Sequence, residues 1–227
     1  MGEFYKQAHF CLYMYDITDE ERDILLYEAL GQDTTLLKEQ HQRKKERRAY
    51  DAEYRSMLEH FVDVDELGIP ENPRIIDIAC GSGLETAVQI SFFGRVPNGQ
   101  KNGNVDYTGI EIDKNDIFHA EWFNPKCNYV HGDATILQVY AKGRFDVALI
   151  QHPFNEEDFP FFVWGAHRLQ DKGGVLVVTF YREMEMERMS KPIEELYAVI
   201  VKEQNPNPCS IYGDKKRHKY ILVAQKD

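Results

Sequence analysis

The sequence predicts an α/β fold, in which a mostly parallel sheet follows an N-terminal helical segment. Two observations predict it. From residue 74 onward, short apolar runs alternate with segments of helical periodicity, and the runs are nearly continuous, as in parallel strands buried on both faces. Before residue 70 the periodicity is helical. A length of 227 residues favours one domain with an N-terminal extension, so we expect a helical cap at residues 1–66 and the main domain at 67–227.

The composition argues against several classes of protein. A formal net charge of −11 disfavours wrapping of long nucleic acid, because that binding depends on neutralising phosphates. No apolar run approaches the ~18 residues of a transmembrane helix, and the N-terminus lacks the layout of a secretory signal. The four cysteines lie far apart without paired ligand spacing. We therefore expect a cytoplasmic protein with reduced thiols, no metal site and no membrane partner.

Two helices are predicted in the N-terminal segment. Thr18 and Glu21 have the spacing of a capping box, and the apolar residues that follow end at Gly31. A second helix is expected over about residues 35–62. Its final turns have a 3.6-residue apolar period, so we expect them to pack on the main domain. The apolar residues of these turns are Tyr50, Tyr54, Met57, Leu58 and Phe61.

The middle of the second helix is polar on every face. Residues 38–48 read KEQHQRKKERR, a run with both signs of charge. A solvated helix is the simpler interpretation, and an arm that binds nucleic acid is the alternative. Prolines at 70 and 73 then separate this helix from the first strand.

The first strand leads directly into a glycine turn. Residues 75–80 are almost all apolar, Gly81 and Gly83 follow, and a helical pattern begins at Leu84. Because neither glycine has a Cβ atom, a ligand can approach the backbone closely at such a turn. We therefore expect the ligand to bind here.

Four further strands are predicted, at residues 105–113, 129–132, 145–150 and 175–180. Pro160 suits the first turn of a helix before the last of them. After it, residues 182–189 (REMEMERM) are interpreted as a solvated connector or a substrate loop, and Ser190 as the cap of a helix that reaches Ile200. Residues 210–212 and 220–224 are expected to form a closing antiparallel hairpin around the charged turn 213–218.

Acidic residues lie at the ends of the first three strands. They are Asp77, then Glu111 or Asp113, then Asp133. In an open α/β sheet, the ligand binds outside the carboxyl ends of the strands, where strand order reverses. Clustered carboxylates there would repel phosphate and favour a ligand with ribose hydroxyls, an amine and a positive centre. Asp113 is more simply a helix cap, so we assign the ribose contact to Glu111.

These motifs resemble those of the Rossmann-like (class I) S-adenosylmethionine-dependent methyltransferases, and the resemblance covers about residues 70–225. Residues 77–83 are similar to the first motif of the family, with Ala79 where many members have Gly. Glu111 is similar to the acid that holds the ribose, and residues 131–134 (HGDA) to the motif that meets the adenine amine. Residues 145–154 are similar to the fourth motif, at the methyl-transfer site. The resemblance implies a seven-stranded sheet, S-adenosylmethionine as cofactor, and an N-terminal cap acting as a lid.

The resemblance also implies roles for individual residues. Those expected to bind the cofactor are Tyr50, Asp77, Ala79, Cys80, Gly81, Ser82, Gly83, Glu111, Ile112, Asp133, Ala134 and Gln151. His152 stands where a reacting group would reach the methyl, so it is the candidate catalytic residue, although a structural histidine that lines the cofactor adenine or packs on Pro153 is the simpler interpretation. Some amino-group methyltransferases of the family carry Asn/Asp-Pro-Pro-Tyr/Phe at this place, and residues 151–154 (QHPF) depart from it at the first two positions.

The expected function is methyl transfer from S-adenosylmethionine to a small-molecule oxygen or nitrogen acceptor, by in-line displacement. Three alternatives remain open. One is a nucleic-acid methyltransferase that uses the basic run 38–48, and another is a non-catalytic module that binds S-adenosylmethionine. A nicotinamide enzyme is more distant, because Thr86 stands where the dinucleotide fingerprint has a small residue. The sequence determines neither the acceptor nor the oligomeric state.

Overall fold

The computed structural model describes residues 21, 24–25, 27–28, 31–95, 105–153, 155–211 and 214–227. Backbone contacts divide the chain into two compact units, residues 1–50 and 51–227. Helix α1 (Thr35–Phe61) runs across this division, and it agrees with the predicted second helix. Residues 38–48 lie in it as exposed or half-buried helix. The predicted capping residue Thr18 lies outside the described residues, and the predicted division at residue 66 stays a prediction.

The second unit contains a seven-stranded sheet with the order β3-β2-β1-β4-β5-β9-β6. The bounds are β1 Arg74–Ile78, β2 Asp106–Glu111, β3 Asn128–His131, β4 Phe145–Gln151, β5 Gln170–Phe180, β6 Ala198–Gln204 and β9 Tyr220–Gln225. Strands β1 to β5 pair in parallel, whereas β9 is antiparallel to both β5 and β6. Strand order therefore reverses between β1 and β4, as the predicted mostly parallel fold requires. Two short strands, β7 (Cys209–Ile211) and β8 (Asp214–Arg217), form a separate antiparallel pair.

Helices connect the strands. They are α2 Thr86–Phe93, α3 Lys114–Phe123, a 3₁₀ turn at Ala134–Ile136, α4 Leu137–Tyr140, α5 Phe159–Leu169 and α6 Glu183–Glu194. A core cluster joins alternate residues of β1, β4 and β5, such as Ile76, Ala148 and Leu176, to α5 and α6. Pro160 lies in the first turn of α5, as predicted. No helix among the described residues is long and apolar enough to cross a membrane.

The prediction for residues 182–200 is wrong. The supposed connector is helix α6, Ser190 lies inside that helix rather than at its start, and Ile200 lies in strand β6. Met186, Met189 and Ile193 share the buried face of α6, at a spacing of three and then four residues. Its start is fixed by Glu185, whose side chain accepts a hydrogen bond from the Arg182 backbone N–H at 3.1 Å.

The predicted closing hairpin also has the wrong partners. Cys209–Ile211 pairs with Asp214–Arg217, in the segment predicted to be a charged turn. Strand β9 instead inserts between β5 and β6 and completes the sheet. The sheet thus ends in an antiparallel β6–β9 pair, as the fold class predicts, although other residues form it.

Candidate functional site

The chain leaves β1 through a turn with unusual backbone angles. Ala79, Gly81 and Gly83 have φ values of 59°, 53° and 67°, which lie in the left-handed region. Between them, Cys80 donates its backbone N–H to Ile110 of β2 at 3.1 Å. Glycine adopts this region freely, but an alanine there carries ~1–2 kcal/mol of steric cost. Every second residue of this tight turn is therefore left-handed, and the conformation is strained at Ala79.

The two glycines of the turn have different surroundings. A Cβ added to Gly81 would meet no atom of the described residues within 4 Å. A Cβ added to Gly83 would lie 3.0 Å from the Ala120 Cβ and 3.0 Å from the Tyr129 hydroxyl. Glycine at 83 is thus required by packing, and only Gly81 faces open space where a ligand can approach.

Glu111 connects the end of β2 to this turn. Its Oε2 accepts a hydrogen bond from the Gly81 backbone N–H at 2.9 Å. Its Oε1 accepts from the N–H groups of Ile112 and Asp113, at 2.7 and 3.0 Å. A carboxylate has about four acceptor positions, so a further hydroxyl can still bind. The ribose contact assigned to Glu111 stays a prediction.

Asp77 is buried beside the turn, with only 2% of its surface exposed. Burial raises the pKa of its carboxyl to about 7, and the nearby carboxylates of Glu85 and Glu111 also raise it. The Tyr107 hydroxyl, which donates to Oδ2 at 2.8 Å, opposes this shift. This carboxyl is therefore poised between its two protonation states near neutral pH.

Among the described residues, no group donates a hydrogen bond to the other oxygen of Asp77 or to the amide oxygen of Gln89. The Gln89 amide nonetheless lies close enough to lower the pKa of Asp77 through a hydrogen bond. The Gln89 Nε2 atom donates to the Tyr54 hydroxyl at 3.4 Å. Oδ1 of Asp77 is therefore available either to this amide or to a cationic ligand.

The third acidic residue, Asp133, is half-buried after β3. It accepts hydrogen bonds from the backbone N–H and the hydroxyl of Thr135, at 2.8 and 2.7 Å, so it caps the 3₁₀ turn. The Gly132 N–H donates to the Glu111 carbonyl at 2.9 Å and joins the ends of β3 and β2. Ala134 is buried. The structure thus brings the predicted acids to the ends of three adjacent strands.

Two other predictions concern the residues between β2 and α3. Asp113 caps α3 by accepting from the N–H groups of Asn115 and Asp116, as predicted. Ile112 is 67% exposed beside Glu111, which leaves an apolar side chain open to a flat ligand.

The remaining predicted cofactor contacts differ in their surroundings. Burial raises the pKa of the Cys80 thiol, so its sulfur stays protonated and its backbone shapes the turn. Ser82 is half-buried in that turn. Gln151, the last residue of β4, donates from Nε2 to the Tyr54 hydroxyl. Tyr50 belongs to the first unit, and its contact with a cofactor stays a prediction.

His152 follows β4 in a strained and enclosed position. Its φ is 49°, and only 5% of its surface is exposed. Its ring stacks on Tyr181 with centroids 4.0 Å apart, and the ring of His218 lies 4.4 Å away. Neither ring nitrogen has a hydrogen-bond partner among the described residues. Burial, together with His218 and Arg217, lowers the pKa of His152 far below its usual range, so the imidazole is neutral.

Sequence reasoning missed a polar cluster beside His152. Arg217, the last residue of β8, donates to Glu85 Oε1 at 3.1 Å and to the Tyr181 hydroxyl at 3.1 Å. The Nδ1 atom of His218 lies 2.9 Å from the Thr179 hydroxyl. One signal was present, since Thr179 and Tyr181 flank the end of β5 at the same edge of the sheet. Nothing local predicts that residues 217 and 218 reach it.

Comparisons with known proteins address the fold. No protein-family model and no curated protein sequence matches the chain. A putative rRNA-methylase from Clostridium thermocellum is similar in structure, with a TM-score of 0.53 and 13% identity over 77% of this chain and 94% of that one. An S-adenosylmethionine-dependent methyltransferase from Clostridium acetobutylicum has a TM-score of 0.55 at 10% identity, over 77% and 91% of the two chains. DesVI from Streptomyces venezuelae has a TM-score of 0.54 at 14% identity, over 78% and 92%.

The chain has the methyltransferase fold. This confirms the predicted fold class and the resemblance at the level of the fold. In a methyltransferase fold of this strand order, the reversal between β1 and β4 is the expected ligand site. The glycine turn and His152 follow the two strands at that reversal, and the acids lie at the carboxyl ends of β1, β2 and β3 along the same edge of the sheet.

Proposed function

We propose that the protein is an S-adenosylmethionine-dependent methyltransferase that acts on a small-molecule oxygen or nitrogen acceptor. One observation carries the proposal. The Glu111 carboxylate accepts from the Gly81 N–H at the point of strand reversal, while the space in front of Gly81 is open. A carboxylate at this place suits the ribose hydroxyls of a nucleoside cofactor.

The surrounding residues fit the other parts of the same cofactor. Glu111 would hold the ribose, and the buried charge of Asp77 would favour an ammonium or sulfonium group. Asp133 would accept from the adenine amine, and the exposed Ile112 would cover the adenine ring. None of these four residues carries a positive charge that could bind the phosphates of a nucleoside triphosphate.

S-adenosylmethionine, when bound, supplies a methyl group on a positively charged sulfur. The protein's task in such a displacement is to align the acceptor and to exclude water, which can contribute ~7–11 kcal/mol. His152 has a role in this alignment. Because its imidazole is neutral and its pKa is strongly lowered, His152 would orient the acceptor through a hydrogen bond rather than store its proton, once one of its buried ring nitrogens faces the acceptor. The catalytic role of His152 stays a prediction.

The acceptor side favours a small molecule. His152 packs against an aromatic ring, that of Tyr181, and the nearby Arg217 is already paired with Glu85. Together with the net charge of −11, this leaves little positive charge for a nucleic-acid backbone. The similar structure from C. thermocellum carries the name of an rRNA-methylase, so RNA is the second candidate.

A labelling experiment distinguishes these acceptors. The protein is incubated with methyl-labelled S-adenosylmethionine and a cell extract, with and without ribonuclease, and the products are separated by size. We expect label in the small-molecule fraction, unchanged by ribonuclease and absent with Gly81→Val, whose β-branched side chain would fill the cofactor space. Label in RNA would show that the acceptor is RNA and not a small molecule. Binding of S-adenosylmethionine without label in any fraction would support the non-catalytic module.

A further inference from the structure

A chain of hydroxyl groups leads from the surface side of β3 to the cofactor turn. The Tyr129 hydroxyl donates to Thr86 Oγ1 at 3.2 Å. The Thr86 and Tyr107 hydroxyls are 3.0 Å apart, and the Tyr107 hydroxyl donates to Asp77 Oδ2 at 2.8 Å. Asp77, Thr86 and Tyr107 are almost fully buried. These groups come from β1, β2, β3 and α2, so the chain connects four elements around the turn.

The hydrogen bonds of this hydroxyl chain all run in one direction. Tyr107 has one hydroxyl hydrogen, and it is given to Asp77. Thr86 must therefore donate to Tyr107, and it accepts in turn from Tyr129. Burial raises the pKa of Tyr107 and of Tyr129, so both hydroxyls keep their hydrogens. Every donor along the chain thus points towards the Asp77 carboxylate.

The packing around the chain also depends on two glycines. A Cβ on Gly109 would lie 2.7 Å from Tyr129 Cδ1, and a Cβ on Gly83 would lie 3.0 Å from the Tyr129 hydroxyl. The rings of Tyr107 and Tyr129 meet edge to face, with centroids 5.9 Å apart. Larger residues at either glycine would displace the first donor. The sequence therefore keeps space for this ring on both sides.

We propose that Tyr107 is a positioning residue for the cofactor: with Thr86 and Tyr129 it holds the Asp77 carboxylate in the orientation that receives a cationic ligand. The inference rests on the proposed function for the identity of that ligand. A hydrogen bond from Tyr107 favours the charged form of Asp77, against the burial that disfavours it. The titratable groups that surround Asp77 are Tyr54, Cys80, Glu85, Tyr107, Glu111 and Tyr129.

The test compares Tyr107→Phe with Tyr197→Phe. Tyr197 is the matched control, because its buried hydroxyl donates to Gln170 Oε1 at 2.8 Å, away from the turn. Calorimetry with S-adenosylmethionine is run between pH 6 and 9. At pH 7 we expect the dissociation constant of Tyr107→Phe to rise about tenfold, since hydrogen bonds to charged groups are the strong ones. Its affinity should recover at pH 9, with the midpoint of the pH profile moved upward. Tyr197→Phe should keep the wild-type constant and midpoint.

A second readout needs no ligand. The carboxyl carbon of Asp77 is titrated by ¹³C NMR, and Tyr107→Phe should move its midpoint upward while Tyr197→Phe leaves it unchanged. If the Asp77 midpoint moves upward in Tyr107→Phe but the wild-type protein binds no S-adenosylmethionine, the proposed function fails and the role of the hydroxyl chain is supported. Wild-type binding with identical midpoints in Tyr107→Phe would overturn the inference instead.

If Tyr107→Phe does not fold, a pair of variants at Thr86 tests the same hydroxyl chain. Thr86→Val removes the hydroxyl and keeps the shape, whereas Thr86→Ser keeps the hydroxyl. We expect Thr86→Val to weaken binding several-fold and to raise the Asp77 midpoint, and Thr86→Ser to stay close to wild type. Equal behaviour of the two variants would contradict a role for the hydroxyl chain.

Discussion

The two turn glycines allow a sharp test of which one faces the cofactor. Gly81→Ala and Gly83→Ala introduce the same methyl group at two left-handed positions. Left-handed backbone costs an alanine ~1–2 kcal/mol, and the stiffer unfolded chain returns ~0.4–1 kcal/mol. Both variants therefore lose about 1 kcal/mol of unfolding free energy from this source.

Packing separates the two variants. The new methyl group at 83 would press on the Ala120 Cβ and the Tyr129 hydroxyl, each 3.0 Å away, whereas at 81 it would meet nothing within 4 Å. Overpacking of this kind costs typically ~1–3 kcal/mol. We expect Gly83→Ala to be less stable than Gly81→Ala by about 2 kcal/mol, or roughly 4–8 °C in melting temperature for a unit of this size.

Binding of S-adenosylmethionine should be weakened more in Gly81→Ala than in Gly83→Ala. The methyl group at 81 enters the space proposed for the cofactor, so Gly81→Ala should weaken binding of S-adenosylmethionine at least about tenfold. Urea unfolding measures the stabilities, and calorimetry at a temperature where both variants are folded measures binding. Equal loss of stability, with S-adenosylmethionine bound at wild-type strength by Gly81→Ala, would refute the assignment of the open face.

Three further changes test the surroundings of the turn. Ala79→Gly relieves the strained φ of 59° and should raise the unfolding free energy by up to about 1 kcal/mol in urea titrations; a loss of stability would contradict the strain. Because the folded pKa of Asp77 is raised to about 7, the folded state binds more protons than the unfolded state, and stability should fall as the pH rises from about 4 to about 8. Asp77→Asn should flatten this dependence, unlike the surface control Asp106→Asn, and an unchanged slope would argue against a raised pKa. Arg217→Met leaves the carboxylate of Glu85 without its cation and should cost about 3 kcal/mol in the same assay; a neutral effect would show that the pair is dispensable.

Local patterns were sufficient to predict the elements that position the site. The apolar run before Gly81 predicted β1, and the acids at 111 and 133 were found because they follow strands that pair in parallel beside it. These signals are local, and parallel strands share one carboxyl edge, so the site could be assembled from them.

Other features depend on distant pairing. Helix α6 was missed because methionines at 184, 186 and 189 fit neither a two-residue nor a 3.6-residue period, and only Ile193 completes the buried face. Strand β9 pairs with β5 and β6 rather than with its neighbour in sequence, a choice set by the sheet edge. The Glu85–Arg217 contact spans 132 residues, so no short-range pattern contains it.

Calorimetric titration of the purified protein with S-adenosylmethionine, ATP and NADH measures directly whether the turn accepts a cationic nucleoside without phosphate. We predict one binding site for S-adenosylmethionine, lost in Gly81→Val, and no heat change with ATP or NADH. Binding of either phosphate-bearing nucleotide at the turn, or a folded protein that ignores S-adenosylmethionine, would contradict the account.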